Sequence, residues 1–536
     1  MFAPSSVPGV TLHVWPAPVS AKWPPGFDWL PKRRRKDGED EKPDVPIAVL
    51  VVAAGVWLGV NAHAKTAAGK PVAKEVPVTS KSPEALTAFK DARDLLDNVR
   101  TAEAIVGFKK AMELDAEFAQ AHAYLGSVTP GSEGLKELER GSALAAKLPA
   151  NERLLIQAML ADGQGQEEKA RGLWERLAQI APGDWHVQFT RGGQLTFQRK
   201  WAAAAAALEK AAALNPKSGA VYNSLGYAYL NQEKKDQAIE AFGKYSELRP
   251  EEPNPHDSLA EALMAAGRYD EAEAEFRKAA EVSPQFYIAW AGVAQTKFLR
   301  DDWAGGREAL TQARSTATRP VEKFGIDFTL AWSQFAAGHL DEALKTLDGL
   351  EKEAQAQQVD VSYAFTPIVR GNMLLDGGQP EAALQQAALA SERGQKSALS
   401  GGEINGLRRQ GLAVRIAAES QLGKLEDAAK SLALLEAEAK SAPANAQLQS
   451  DLELGRGELA LGRGDAKAAA EAFSRCVEQD SHAHWREAAA RDKAGDASGA
   501  EETRKKLLAA NWRDGEYLYV RSQLRANMSQ AAPAAK

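Results

Sequence analysis

A proline returns every thirty-four residues, at Pro182, Pro216, Pro250 and Pro284, and an alanine keeps the same interval at Ala170, Ala204, Ala238 and Ala272. A period of this length means one short supersecondary unit, copied and stacked. Such a unit cannot bury its apolar face alone and must cover it with its neighbours. The copies are most regular across residues 219–284. Tyr222, Leu225, Gly226 and Tyr229 fall at i, i+3, i+4 and i+7, one face of a first helix. Ala238, Ala241, Phe242 and Tyr245 do the same on a second helix, which Pro250 stops. The next copy puts His256, Leu259, Ala260, Leu263, Ala272, Phe276 and Pro284 at the matching places. Gly226 and Ala238 are small where the two helices must cross closely, so their lack of bulk sets the interhelical distance.

An aromatic, Leu-Gly, Tyr, a small Ala, Phe and a closing Pro in this order resemble the tetratricopeptide repeat. Looser copies extend both ways. Ala104, Phe108, Ala111, His122, Leu125 and Gly126 belong to one, and Ala170, Trp174 and Pro182 to another. Past residue 300 the Gly, acidic and Ala core of the second-helix start recurs around Ala343, Ala382, Ala428, Ala469 and Ala500, at intervals of 39, 46, 41 and 31 residues. The resemblance implies an all-α, right-handed superhelical solenoid of about twelve antiparallel hairpins. Residues 82–318 form its regular array and residues 319–524 degenerate repeats of the same kind. The segment from Ser82 to about Asp184 also resembles the repeat arrays of bacterial signalling proteins, although no kinase or winged-helix domain precedes it.

The resemblance further implies that the first helices line a concave groove that grips a peptide or helix of a partner protein. Its groove-facing positions are Asn223, Tyr227, Asp257, Glu261 and Met264, with Phe189, Gln295 and Phe298 from the flanking units. The Lys and Asn ladder used to clamp a C-terminal carboxylate is missing from them.

Composition removes several other classes. With 44% hydrophobic and 26% charged residues the chain is in the range of soluble globular proteins. A formal charge of −6 gives no domain-wide positive field for nucleic acid. One cysteine, Cys476, excludes an internal disulfide and a Cys-built zinc site. It falls where the repeat calls for a small residue, so a buried apolar role is expected. No phosphate loop, dinucleotide fingerprint, zinc-protease helix or nucleophile elbow occurs. His482 and His484 are the one close histidine pair, and i, i+2 spacing turns them apart on a helix, so they read as a solvated helix start rather than as metal ligands.

The N-terminal part is of another kind. Residues 1–45 are rich in proline and charge and read as disordered. Residues 46–64 hold an uncharged apolar run from Ile47 to Ala62, short for a spanning helix but suited to a secretory signal, and Ala62-His63-Ala64 supplies a small-x-small cleavage pattern. Cleavage after Ala64 is the first expectation. If the segment stays, it is an anchor, with RRRK at 33–36 held in the cytoplasm. Either way the remainder is exported, to the periplasm or beyond, or held at the inner membrane, and membrane contact runs only through 46–64. Residues 65–81 read as a linker, folded structure is expected to begin at Ser82-Pro83, and 525–536 read as a disordered tail.

These readings converge on a non-catalytic, cofactor-free protein-protein interaction scaffold in a bacterial cell-envelope assembly. Two other classes stay open. One is a membrane-anchored sensor or regulatory subunit of a signalling system. The other is an enzyme with an unrecognised site in the C-terminal half.

Overall fold

The computed structural model describes residues 75–97, 100–442, 445–512 and 514–531. The N-terminal extension, the apolar segment 46–64, the linker up to residue 74 and the last residues of the tail lie outside the described residues.

Antiparallel hairpins follow one another along the described chain. The first four pair α1 (Pro83–Asp97) with α2 (Thr101–Leu114), α3 (Ala119–Val128) with α4 (Gly131–Leu144), α5 (Ala150–Gly163) with α6 (Glu167–Ile180), and α7 (Trp185–Phe197) with α8 (Trp201–Leu214). The next four pair α9 (Gly219–Leu230) with α10 (Lys235–Leu248), α11 (Pro253–Ala265) with α12 (Tyr269–Val282), α13 (Tyr287–Leu299) with α14 (Trp303–Thr316), and α15 (Pro320–Ala336) with α16 (Leu340–Ala356). The last four pair α17 (Asp360–Asp376) with α18 (Pro380–Lys396), α19 (Gly401–Gln421) with α20 (Leu425–Ser441), α21 (Ala446–Gly462) with α22 (Ala466–Phe473), and α23 (Ser481–Lys493) with α24 (Ala497–Ala510). A closing helix, α25 (Gly515–Ala531), runs through the first part of the stretch read as a disordered tail. No strand occurs among the described residues, and the architecture is an all-α solenoid of twelve hairpins and one further helix.

In two of the hairpins an aromatic ring of the second helix lies on bare backbone of the first. A Cβ built on Gly226 of α9 would lie 2.6 Å from the Phe242 ring of α10, and one on Gly457 of α21 would lie 2.4 Å from the Phe473 ring of α22. Where Ala260 replaces the glycine on α11, the Phe276 ring of α12 lies against Gly292 of the following hairpin instead. The anchor alanines Ala104, Ala170, Ala204, Ala238 and Ala272 are 0–1% exposed, as the repeat requires. Tyr245, large where a small residue is usual, is accommodated because Gly219 leaves room for its ring.

The turns of the five hairpins from α5–α6 to α13–α14 keep the thirty-four-residue rhythm. Gly165, Arg199, Glu233, Gly267 and Asp301 all have left-handed backbone, with φ of 67, 56, 58, 78 and 65°. After it, the next amide reaches back five residues, as Lys234 N does to Tyr229 O and Arg268 N to Leu263 O, satisfying carbonyls the helix end would leave open. Histidine at the aromatic place is also explained. His122 Nδ1 lies 2.6 Å from Glu137 of the second helix, and its Nε2 lies 3.1 Å from the Ala116 carbonyl. His256 repeats this with Glu275 at 2.7 Å and the Pro250 carbonyl at 3.3 Å.

The drift past residue 300 is an added helical turn. Helices α7 to α14 have 12 to 14 residues, whereas α15 to α18, α20 and α21 have 17. Three or four extra residues make about one turn, so the same face stays inward while the interval lengthens. One anchor is corrected. Ala382 is partly exposed, and Ala383 is the buried residue, because the left-handed turn glycine is Gly378 rather than Gly377 and the anchor lies five residues after it, as Ala343 does after Gly338.

Two stability outcomes follow from this packing. Phe276→Ala, at 0% exposure, is expected to cost about 3 to 5 kcal/mol in urea unfolding. Glu233→Gly relieves left-handed strain on an exposed side chain and is expected to stabilise by about 1 kcal/mol, while Gly267→Ala at the matching turn loses a similar amount.

Candidate functional site

The eight groove positions expected from the repeat are placed unequally. Phe189, Tyr227 and Glu261 keep part of their surface exposed, on α7, α9 and α11. Phe189 packs against Trp185, while Tyr227 and Glu261 are tied to polar neighbours. Tyr227 Oη donates to Glu261 Oε2 at 2.8 Å and lies 3.3 Å from Ser258 Oγ, which in turn donates to Asn223 Oδ1 at 3.3 Å. The Tyr227 ring stands edge-on to Phe242 at 4.9 Å. Burial first, and the Glu261 charge second, raise the Tyr227 phenol well above its ordinary value, so it stays a donor. Asn223 and Asp257 lie beneath, at 8% and 1% exposure, and Met264 is packed at 3%.

Gln295 and Phe298 belong to a different environment. Phe298 is 1% exposed and packs on Trp303. Gln295 donates to the Trp512 carbonyl at 2.8 Å, because the chain before α25 crosses α13 here. Helix α25 then seats itself against α15. Its Tyr517 and Leu518 join a core with Val293, Phe298 and Leu310, while Tyr519, Val520 and Leu524 join one with Phe328, Trp332 and Phe335. The Phe335 and Tyr519 rings stack at 4.4 Å. Tyr269 Oη donates to Asn511 Oδ1 at 2.7 Å, Arg521 donates to the Leu299 carbonyl at 3.3 Å, and Arg525 pairs with Asp301. The chain itself thus covers the outermost two of the eight positions.

A second stretch of chain lies across the first helices at the other end. Residues 76–81, within the span read as a linker, are extended and tied to side chains far along the sequence. Val76 N donates to Asp184 Oδ2 at 3.0 Å, and Gln120 Nε2 donates to the Pro77 carbonyl at 2.7 Å. Thr79 donates to Glu152 through both its amide, at 2.9 Å, and its hydroxyl, at 2.6 Å. Ser80 Oγ and Lys81 N donate to Asp115 at 2.7 and 2.8 Å. Gln120, Glu152 and Asp184 sit at the starts of α3, α5 and α7, so three successive hairpins hold one strap.

The groups weighed for chemistry take structural roles. Cys476 is 7% exposed, and burial pushes its thiol up to about 12. His484 pairs with Glu487 at 2.9 Å, a contact that raises its pKa. His482 does not stand in solvent, as expected for a helix start. Its Nε2 is 2.9 Å from Asp376 of α17, which also accepts from Arg486 at 3.1 Å, and Arg486 is 3.0 Å from Glu458 of α21. Among the described residues no group of three or more His, Cys, Asp or Glu side chains is placed to hold a metal ion. No described helix is long and apolar enough to cross a membrane.

Two family models described as tetratricopeptide repeat match residues 196–253 and 253–296. Residues 196–296 are tetratricopeptide repeats. No curated protein matches it. Among solved structures, yeast Tom70 is similar at 17% identity, covering 79% of this chain and 96% of its own, with a TM-score of 0.39. A tetratricopeptide repeat protein from Parabacteroides merdae is similar at 15% identity, covering 49% and 98%, with a TM-score of 0.38. PilF of Pseudomonas aeruginosa is similar at 19% identity, covering 45% and 94%, with a TM-score of 0.29. Likenesses of this strength carry no functional information.

The residues that the sequence did not single out are Gln120, Glu152, Asp184 and Asp115. The signal available for them was polar residues at the starts of successive first helices, where the repeat has no fixed demand. The ends of α17, α23 and α25 add a testable property. Burial opposes the charge on His482, yet Asp376 outweighs it and lifts the imidazole to about 9. Burial pushes Glu516, half-buried at the start of α25, up to about 7, with His482 pulling the other way, and pushes Asp514 up to about 6. All three folded values lie above the ordinary ones. The stability they contribute is therefore complete at low pH and is lost as pH rises from 4.5 to about 7 for Glu516, and from 6.5 to about 9 for His482. Asp376 is held below its ordinary value and matters only in acid. Amide exchange in α25, corrected for intrinsic rates, is expected to be slower at about pH 5.5 than at about pH 9.5, with α9 to α12 unchanged.

Proposed function

We propose that this protein is a non-catalytic scaffold that binds a peptide or helix of a partner protein on the face shared by α7, α9 and α11, within a bacterial cell-envelope assembly. The observation that carries the reading is the run Phe189, Tyr227 and Glu261, three groove positions with exposed surface over a buried, hydrogen-bonded floor. Aromatic anchors held by their neighbours lose little conformational freedom on binding, which favours affinity. The carboxylate of Glu261 beside the Tyr227 ring suits an apolar segment carrying a basic residue. Export is part of the proposal, supported by the apolar run 47–62 followed by Ala62-His63-Ala64. N-terminal sequencing of protein from its native host is expected to find Lys65 first, or RRRK retained on a membrane-bound product, and a soluble cytoplasmic product retaining residues 33–36 overturns export.

Partners captured by crosslinking in cells provide the ligand for measuring affinity. Tyr227→Ala is expected to weaken the partner by about 2 kcal/mol, roughly thirtyfold, with helicity retained. Glu261→Lys is expected to slow association with a basic partner, and the effect should shrink as salt rises. Undiminished binding by both variants, with helicity intact, contradicts this placement of the site.

A further inference from the structure

We infer that residues 76–81, VPVTSK, are an internal ligand. They fill a site on α3, α5 and α7 that reads the main chain of an extended peptide, and an extended segment of a partner protein takes the same place by displacing them. The strap is held as a bound peptide is held. It forms no helix and no ladder. Its amides at Val76, Thr79 and Lys81 and its carbonyl at Pro77 are each met by a side chain from a different helix start or the loop before it. Main-chain contacts of this kind give affinity, and side-chain pockets add selectivity. The selective elements are also visible. Val76 is 8% exposed and packs into the core that includes Leu155 and Trp174. Both hydroxyls, of Thr79 and Ser80, donate to carboxylates, and Lys81 pairs with Glu117. The site therefore fits an extended segment with a small apolar residue, then a hydroxyl residue three positions on, another hydroxyl, and a lysine.

The groups that read the strap are built into the array rather than lent by its surface. Gln120 and Glu152 are 0% exposed, and Asp115 and Asp184 are 8% exposed. Glu152 also accepts from Gln120 Nε2 at 2.8 Å, so the two reading side chains fix each other. Carboxylates at this depth need donors, and the strap supplies them to Glu152, Asp115 and Asp184. The strap itself is shallow by contrast, with Glu75, Pro77, Thr79 and Lys81 exposed and Val78 and Ser80 half-buried. Behind it lies a small cavity of about 20 Å³, room for one water, lined by Val76, Arg93, Gln120, Tyr124, Asp184 and His186 among others. Gln120 Oε1 and Arg93 Nε make no hydrogen bond among the described residues, leaving an acceptor and a donor beside the strap for a longer or bulkier occupant. A buried recognition surface under a shallow, side-chain-held segment is an exchangeable arrangement.

A tethered strap competes at an effective concentration on the order of millimolar, so an added peptide meets an occupied site in the wild-type chain. The test uses a fluorescein-labelled peptide of residues 75–82, EVPVTSKS, and the full chain. Val76→Asp with Thr79→Pro withdraws the buried side chain, one amide and one hydroxyl from the strap while leaving α3, α5 and α7 untouched. This chain is expected to bind the peptide at least about tenfold more tightly than wild type, and Glu152→Gln added to it to lose at least about tenfold. Thr79→Val alone, which removes only the hydroxyl, is expected to give an intermediate gain and serves if the double variant does not fold. Tyr227→Ala is expected to leave peptide affinity unchanged, which separates this site from the α7, α9 and α11 face. Equal peptide binding by wild type and the folded strap variants, or binding indifferent to Glu152→Gln, overturns the inference.

Discussion

The constraint on which the rest of the molecule depends is the close crossing of the two helices of a hairpin, where a small residue of one helix lies against a side chain of the other, Leu208 on Gly192 or Phe242 on Gly226. With Phe242 against Gly226 and Phe473 against Gly457, a side chain as small as a methyl would collide with the ring. Helices brought this close bury a narrow stripe deeply and leave the other faces for the adjoining hairpin. The stack follows from that geometry, because each unit is completed only by the next. Ala260 shows that the rule has slack: one methyl on the first helix sends the Phe276 ring to the following glycine, and the array continues unbroken.

A stack completed only by neighbours has two open ends, and this chain covers first-helix surface near both. At one end a strap hydrogen-bonded by Gln120, Glu152, Asp115 and Asp184 lies over α3, α5 and α7. Towards the other, α25 buries Tyr517, Leu518, Val520 and Leu524 against α13 and α15. The two closures use different physics. The strap is polar and shallow, its free energy resting on hydrogen bonds that water can replace, each contributing only about 1 kcal/mol net. The closing helix is apolar and deep, so it is the more durable of the two, with pH acting only on the charged groups at its start. Between them Phe189, Tyr227 and Glu261 keep part of their surface exposed.

Much of this was legible in the sequence, and the exceptions have physical reasons. The number of hairpins, the buried alanines and the Gly226 crossing are all consequences of a period, and a period is visible in one chain. The left-handed turn was hidden at Arg199, Glu233 and Asp301 because these are not the glycine that normally marks it. Ala382 was taken for Ala383 because two adjacent glycines, Gly377 and Gly378, could each mark the turn, and only Gly378 is left-handed. Gln295 and Phe298 match groove positions, yet they are covered by residues more than two hundred positions away, a contact no local pattern records. Val76 and Asp184 are likewise 108 residues apart, and VPVTSK has neither the length nor the alternation of a strand.

The most direct test of the central claim, that the first-helix face of α7, α9 and α11 is the surface left for a partner, is an amide-exchange footprint of the full chain with and without a partner captured from cells. The account predicts slowed exchange confined to α7, α9 and α11, with the outer helices α8, α10 and α12 unaffected. Protection of α8, α10 and α12, or of α17 to α22, with α7, α9 and α11 unchanged, would contradict it.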